Sequence, residues 1–165
     1  MGAGNKAADA VILEIEVDET AWKEVPDPET LLRDAARATQ AALGQDLSQT
    51  VVTISLATDD EVARLNKQWR GKPGPTNVLS FPAPPAMPLP PGEPRPLGDI
   101  ILAAGVVKCE AEQQGKSLDD HLVHLAVHGI LHLMDYDHIS EAEATRMENL
   151  EVDILNVLGI ADPYA

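Results

Sequence analysis

The chain has 165 residues, 44% of them apolar, which suits one folded domain with its own core and argues against intrinsic disorder. Its net charge of −15 argues against a generally basic nucleic-acid binder, and no run of 18 apolar residues is available to cross a membrane. The first residues, Met1 to Asp9, lack the apolar centre of an export signal, so a cytoplasmic location is expected. The single cysteine, Cys109, rules out an internal disulfide and a cysteine-rich zinc site, and it reads as a small buried residue.

The elements follow in chain order. Ala10 to Val17 reads as a strand, with Val11, Leu13, Ile15 and Val17 on one face and Glu14 and Glu16 on the other. Asp27-Pro28 is an N-cap followed by proline at the first helical position. That helix runs to about Leu43 and stops at Gly44, with Leu31, Leu32, Ala35, Ala38 and Ala42 turned inward. Thr50 to Leu56 is β-branched and apolar throughout, as a central strand would be. Thr58-Asp-Asp-Glu61 is a capping box that opens a second helix through Val62, Leu65 and Trp69, ending near Gly71. Trp69 shares the apolar face and is assigned to the core.

Charge is unevenly spread along this part of the chain. Val62 to Gly92 contains no acid, while four of the 12 basic residues (Arg64, Lys67, Arg70 and Lys72) fall within nine positions. Such a patch can meet a polyanion locally, or it can simply complement the dipole at a helix end.

Pro73-Gly-Pro75 breaks the chain before a third strand, Thr76 to Phe81. Residues 82–96 hold eight of the 13 prolines and read as a polyproline-like loop, either a lid or an exposed excursion, unable to enter a sheet interior. Gly98 to Ala103 reads as a fourth strand, and Ala104 to Gln114 as a helix ending at Gly115. Ser117 and Ser140 each head a capping pattern. The last helix carries the stripe Met147, Leu150, Ile154 and Val157 and stops at Gly159. The sum is an α+β fold: a single domain over 1–165, with a mixed sheet of about four strands packed with helices.

The histidines stand out against this background. His121, His124, His128 and His132 recur at intervals of three, four and four, so their rings cover an arc of roughly 80° on one helix face. No charged residue occurs from His121 to Met134, which marks a buried helix. Burying imidazoles side by side is costly unless something satisfies them, and a metal ion does so. His128 and His132, four apart, point the same way and can share one ion. His138 joins them only if the helix ends after Met134. Asp135 is one of the few residue types besides glycine that tolerates the left-handed turn this needs.

Three imidazoles and one open position form a common catalytic zinc arrangement, although nickel, copper or iron also accept such ligands. The spacing is that of the metzincin peptidases, which makes this a metzincin-like metal helix. Their general-base glutamate is replaced here by Gly129, so peptide hydrolysis lacks its base.

His128-Gly-Ile-Leu-His132-Leu-Met-Asp-Tyr-Asp-His138 closely resembles the signature of the YbeY family, bacterial endoribonucleases of ribosomal RNA maturation. Asn66-Lys-Gln-Trp-Arg70-Gly-Lys72, Pro75-Thr-Asn-Val-Leu-Ser-Phe-Pro82, Leu97-Gly-Asp-Ile100 and Leu158-Gly-Ile-Ala-Asp-Pro-Tyr164 are similar to further family blocks. The family usually has glycine at the position of Asp135. The resemblance implies one Zn2+ per chain held by His128, His132 and His138, with Arg70 and His128 as catalytic residues. It also implies a single-strand-preferring endoribonuclease that matures the 3′ end of small-subunit rRNA and serves ribosome assembly and quality control. Its expected partners are an rRNA precursor, the small ribosomal subunit with its proteins, and an assembly GTPase; no membrane is involved.

Two other readings are weighed beside it: a non-catalytic ribosome-assembly factor with a structural zinc, and a zinc hydrolase of another substrate. His124 either lines the cleft or fixes a ligand from behind, or it is merely a buried, hydrogen-bonded residue. His121 is placed nearer the surface. Asp137 either orients a ligand imidazole or caps the turn, and whether Asn77 and Ser80 approach the cleft is left open by the local sequence.

Overall fold

The computed structural model describes residues 10–84, 88–136 and 139–164. Four strands, β1 (Ile12–Val17), β2 (Thr50–Ala57), β3 (Val78–Pro82) and β4 (Arg95–Ala103), form one sheet in the order β1-β2-β4-β3. β1 and β4 flank β2 in parallel, and β3 closes the edge antiparallel to β4. The helices are α1 (Pro28–Leu43), α2 (Asp59–Arg70), α3 (Ala104–Gln114), α4 (Leu118–Leu133) and α5 (Glu141–Val157). The α+β expectation and the central place of β2 hold.

Local chemistry sets the helix ends. Asp27, Thr58, Ser117 and Ser140 each accept a backbone N–H three residues on, satisfying donors the first turn leaves open. Gly44, Gly71 and Gly115 close α1, α2 and α3 in the left-handed conformation. α3 has no cap of its own. Asp59, in the first turn of α2, supplies one from a distance, accepting from Gly105 N at 2.8 Å and Val106 N at 3.2 Å.

The sheet is covered on both faces. Ile54, Ile100 and Leu102 point into the main core, which α1, α4 and α5 complete with Leu32, Leu122, Leu131, Met147 and Leu155. The alternate residues Leu79 and Ala103 point the other way, into a smaller cluster under Val62 and Leu65 of α2. α4 packs against α1, α3, α5, β3 and β4, so a helix that reads as apolar nearly all round is enclosed nearly all round.

Several expectations need correction. Trp69 is 65% exposed, because the cluster beneath α2 ends at Leu65, one turn earlier. Cys109 and Ala42 are exposed, and Val157 lies on the outer side of α5. The prolines do reach the sheet: Arg95 and Pro96 pair with Thr50 and Val51 of the interior strand β2, where the register shifts between Val51 and Val52. That irregularity accommodates a residue with no N–H to give the ladder. Trp22, unassigned from sequence, is buried and donates its indole N–H to Ala57 O at 2.9 Å.

Candidate metal centre and cleft

α4 ends as its sequence demands. Asp135 adopts φ 69°, and Tyr136 N returns to Leu131 O at 3.0 Å, the six-to-one bond of a Schellman turn. The chain thus turns after Met134, as the histidine spacing requires. His138 and Asp137 lie outside the described residues, so their placement is not part of the geometry that follows.

His128 and His132 lie one turn apart with ring centroids 4.8 Å apart and planes inclined by 73°. They line a cavity of about 250 Å³ with Arg70, Asn77, Val78 and Ser80. This cleft straddles the edge strand. The Arg70 guanidinium donates from Nη2 to Ser80 O at 2.9 Å and lies 5.5 Å from the Phe81 ring centroid. Arg70 therefore arrives from the helix on one face of the sheet and the histidines from the helix on the other.

Gly129 permits this approach. A Cβ there would stand 3.0 Å from two carbons of Ile100 and 3.2 Å from Ser80 Oγ. A side chain at this position, the peptidase glutamate included, would have to push Ile100 or Ser80 aside by a few tenths of an ångström.

Behind the cleft lies Glu151, a carboxylate fully buried on α5. Its Oε1 meets His124 Nε2 at 2.8 Å and the Tyr164 hydroxyl at 3.0 Å, and its Oε2 meets His128 Nδ1 at 3.3 Å. Burial pushes this carboxyl up, but hydrogen bonds from His124 and His128 overcome that and hold it at about 2. Glu151 is therefore ionised and accepts from all three groups. Burial and then the negative charge of Glu151 push the Tyr164 phenol above its ordinary range. His124 is buried and hydrogen-bonded, and through Glu151 it stands behind His128 rather than in the cleft.

His121 is also buried, contrary to its expected place near the surface, because α3 supplies Glu110, whose Oε1 lies 2.9 Å from His121 Nε2. Burial lowers the pKa of His121, partly offset by Glu110. Glu110 also accepts the Asn77 amide at 3.1 and 3.3 Å, so Asn77 forms the cleft wall with its side-chain N–H groups already engaged.

Sequence reasoning missed both glutamates. Glu151 carried a readable signal, since a charge falls inside the apolar stripe of Met147, Leu150 and Ile154. Glu110 carried none, because its helix is only weakly amphipathic.

The donor chemistry fits a metal. An ionised Glu151 accepts a hydrogen bond from Nδ1–H of His128, which leaves Nε2 as the lone-pair nitrogen, the tautomer a metal ligand needs. Among the described residues no three such side chains converge, and His138, the third ligand expected from the sequence, lies outside them.

The family model described as "Endoribonuclease YbeY" matches residues 15–159. The Endoribonuclease YbeY of Novosphingobium aromaticivorans is 48% identical over 94% of this chain and 97% of its own. That of Bradyrhizobium diazoefficiens is 44% identical over 87% of this chain and 80% of its own. The solution structure of TM1509 from Thermotoga maritima shares the fold, with a TM-score of 0.55 at 23% identity over 89% of this chain and 91% of that one. The matched span contains both faces of the cleft, Arg70 as well as His128 and His132, and the chain belongs to the endoribonuclease YbeY family.

Proposed function

We propose that this protein is a zinc-dependent endoribonuclease that prefers single-stranded RNA and matures the 3′ end of small-subunit rRNA in the cytoplasm. The observation that carries the reading is the meeting of Arg70 with His128 and His132 in one cleft. A guanidinium is suited to grip a phosphodiester through paired N–H groups, and two imidazoles four apart are suited to a metal.

His128, His132 and His138 would hold one Zn2+, which when bound supplies Lewis acidity toward a phosphoryl oxygen and a water of lowered pKa. The chain's own residues do the rest. Arg70, anchored on Ser80 O and Phe81, binds and orients the scissile phosphate beside the histidines. Arg64, Lys67 and Lys72 guide the neighbouring phosphates, while the acidic remainder of the surface repels RNA and confines it to this side. The exposed Trp69 stands next to Arg70 in the chain and offers a face on which an unpaired base can stack. Gly129 keeps the cleft floor free of a peptidase base. The protein would meet its precursor on the small ribosomal subunit, with ribosomal proteins and an assembly GTPase as partners. No described helix is long and apolar enough to cross a membrane.

The test incubates metal-characterised wild type and His132→Ala with precursor small-subunit rRNA. Cleavage by the wild type alone, abolished by a chelator and restored by zinc, is the expected result. Ribosome association without any cleavage would favour an assembly factor with a structural metal. Chelator-sensitive hydrolysis of a different substrate, with RNA untouched, would overturn the reading.

A further inference from the structure

Glu151 is fully buried, yet three hydrogen-bond donors converge on it. They come from widely separated parts of the chain: His124 and His128 on α4, and Tyr164 beyond α5. A lone buried charge is costly, and a carboxylate enclosed among apolar neighbours survives only where its lone pairs are taken up. Here they are taken up asymmetrically. Oε1 serves His124 and Tyr164, and Oε2 faces His128.

We propose that Glu151 is a positioning residue for His128: its Oε2 selects the Nδ1–H tautomer and so presents Nε2 as the metal-binding nitrogen, while His124 and Tyr164 fix the carboxylate in that orientation. The proposal rests on the zinc reading given above and adds to it a residue that controls the ligand from behind.

The substitution Glu151→Gln separates this role from mere packing, because an amide has nearly the same shape but only one oxygen. Three donors cannot all be satisfied by it. With the amide oxygen turned to His124 and Tyr164, its NH2 faces His128 Nδ1. His128 must then switch to the Nε2–H tautomer, and the nitrogen offered to the metal is lost.

Two measurements test this. The first is the nitrogen NMR spectrum of the imidazoles in the metal-free, full-length protein, at a pH where they are neutral. His128 of the wild type is expected as the Nδ1–H form, and in Glu151→Gln as the Nε2–H form. The second is zinc affinity by chelator competition, expected to weaken about 10- to 100-fold in Glu151→Gln. Tyr164→Phe, which leaves the carboxylate in place, is expected to weaken it less.

A wild-type His128 in the Nε2–H form overturns the proposal, whether or not Glu151→Gln folds. So does a folded Glu151→Gln with wild-type tautomer and zinc affinity. Absence of zinc binding by the wild type would instead sink the zinc reading, and the tautomer measurement would still decide what Glu151 does to His128.

Discussion

Gly129 rests on Ile100: a Cβ added to the glycine would lie 3.0 Å from both Cδ1 and Cγ2 of the isoleucine. Ile100 is itself fully buried between β2 and β3, so it has little room to yield. Gly129→Ala is therefore expected to lower stability by about 1–3 kcal/mol, the usual range for overpacking a filled core. A urea titration with unchanged slope and an earlier midpoint is the expected result. A midpoint equal to wild type would show that crowding costs no more than the roughly 1 kcal/mol that alanine gains over glycine inside a helix. Gly129→Glu, which would restore the peptidase pattern on paper, is expected to misfold rather than gain peptide hydrolysis.

Arg70 is held by a backbone carbonyl and an aromatic face, and both contacts suit a planar guanidinium. Lysine reproduces the charge without the fork. Arg70→Lys is expected to slow cleavage of a single-stranded oligonucleotide by about 1.5–3 kcal/mol of lost charged hydrogen bonding, roughly 10- to 100-fold. Thermal stability should hardly change, since Arg70 is on the surface. A fully active Arg70→Lys would remove the arginine from the mechanism.

Only two tryptophans are present, and they differ in environment: Trp22 is 2% exposed and Trp69 65%. Fluorescence quenching by single-stranded RNA therefore reports almost entirely on Trp69. Stacking predicts quenching that saturates with binding and disappears in Trp69→Leu. It also predicts an affinity loss of about 1–3 kcal/mol per stacked base. Equal affinity of Trp69→Leu and wild type would leave the indole a bystander.

Much of this was legible before the structure, and the boundary has physical causes. The caps at Asp27, Thr58, Ser117 and Ser140 are local chemistry, written within four residues, and all four form. The left-handed Asp135 was likewise readable, because the demand for a turn and a residue able to make it coincide. Trp69 was misread because periodicity gives a helix face but not the extent of the surface it packs on. His121 was misread for a related reason: its burial depends on Glu110, which comes from another helix. Glu151 and Tyr164 meet only in three dimensions, so their partnership with His124 and His128 could not be seen in the chain order.

Acid should destabilise the fold in two steps. Unfolded, His121 titrates near 6.5, while burial lowers its value in the folded protein. Below pH 6.5 the unfolded chain takes a proton that the folded chain resists, so stability falls as pH falls. Glu151 acts lower down. Its carboxyl is held at about 2 when folded against 4.5 when free, so its contribution is intact above pH 4.5 and is lost on descent toward 2. Melting temperature followed from pH 7 to pH 3 is expected to show both limbs. His121→Gln should flatten the upper one and Glu151→Gln the lower. A wild-type curve level down to pH 4 would refute the assignment.

The strand order has a kinetic consequence. β2 pairs in parallel with both its neighbours, and β4 reaches it only after the chain has made α2 and β3. Such distant pairings are slow to form, since loop closure must precede any reward from contact. Arg70 lies ahead of β3 and the histidines lie beyond β4, so neither half of the chain contains the cleft. A ribosome making this protein releases most of it before any part can cut RNA. Substitutions that delay β4 docking should lengthen that silent interval without altering the finished enzyme.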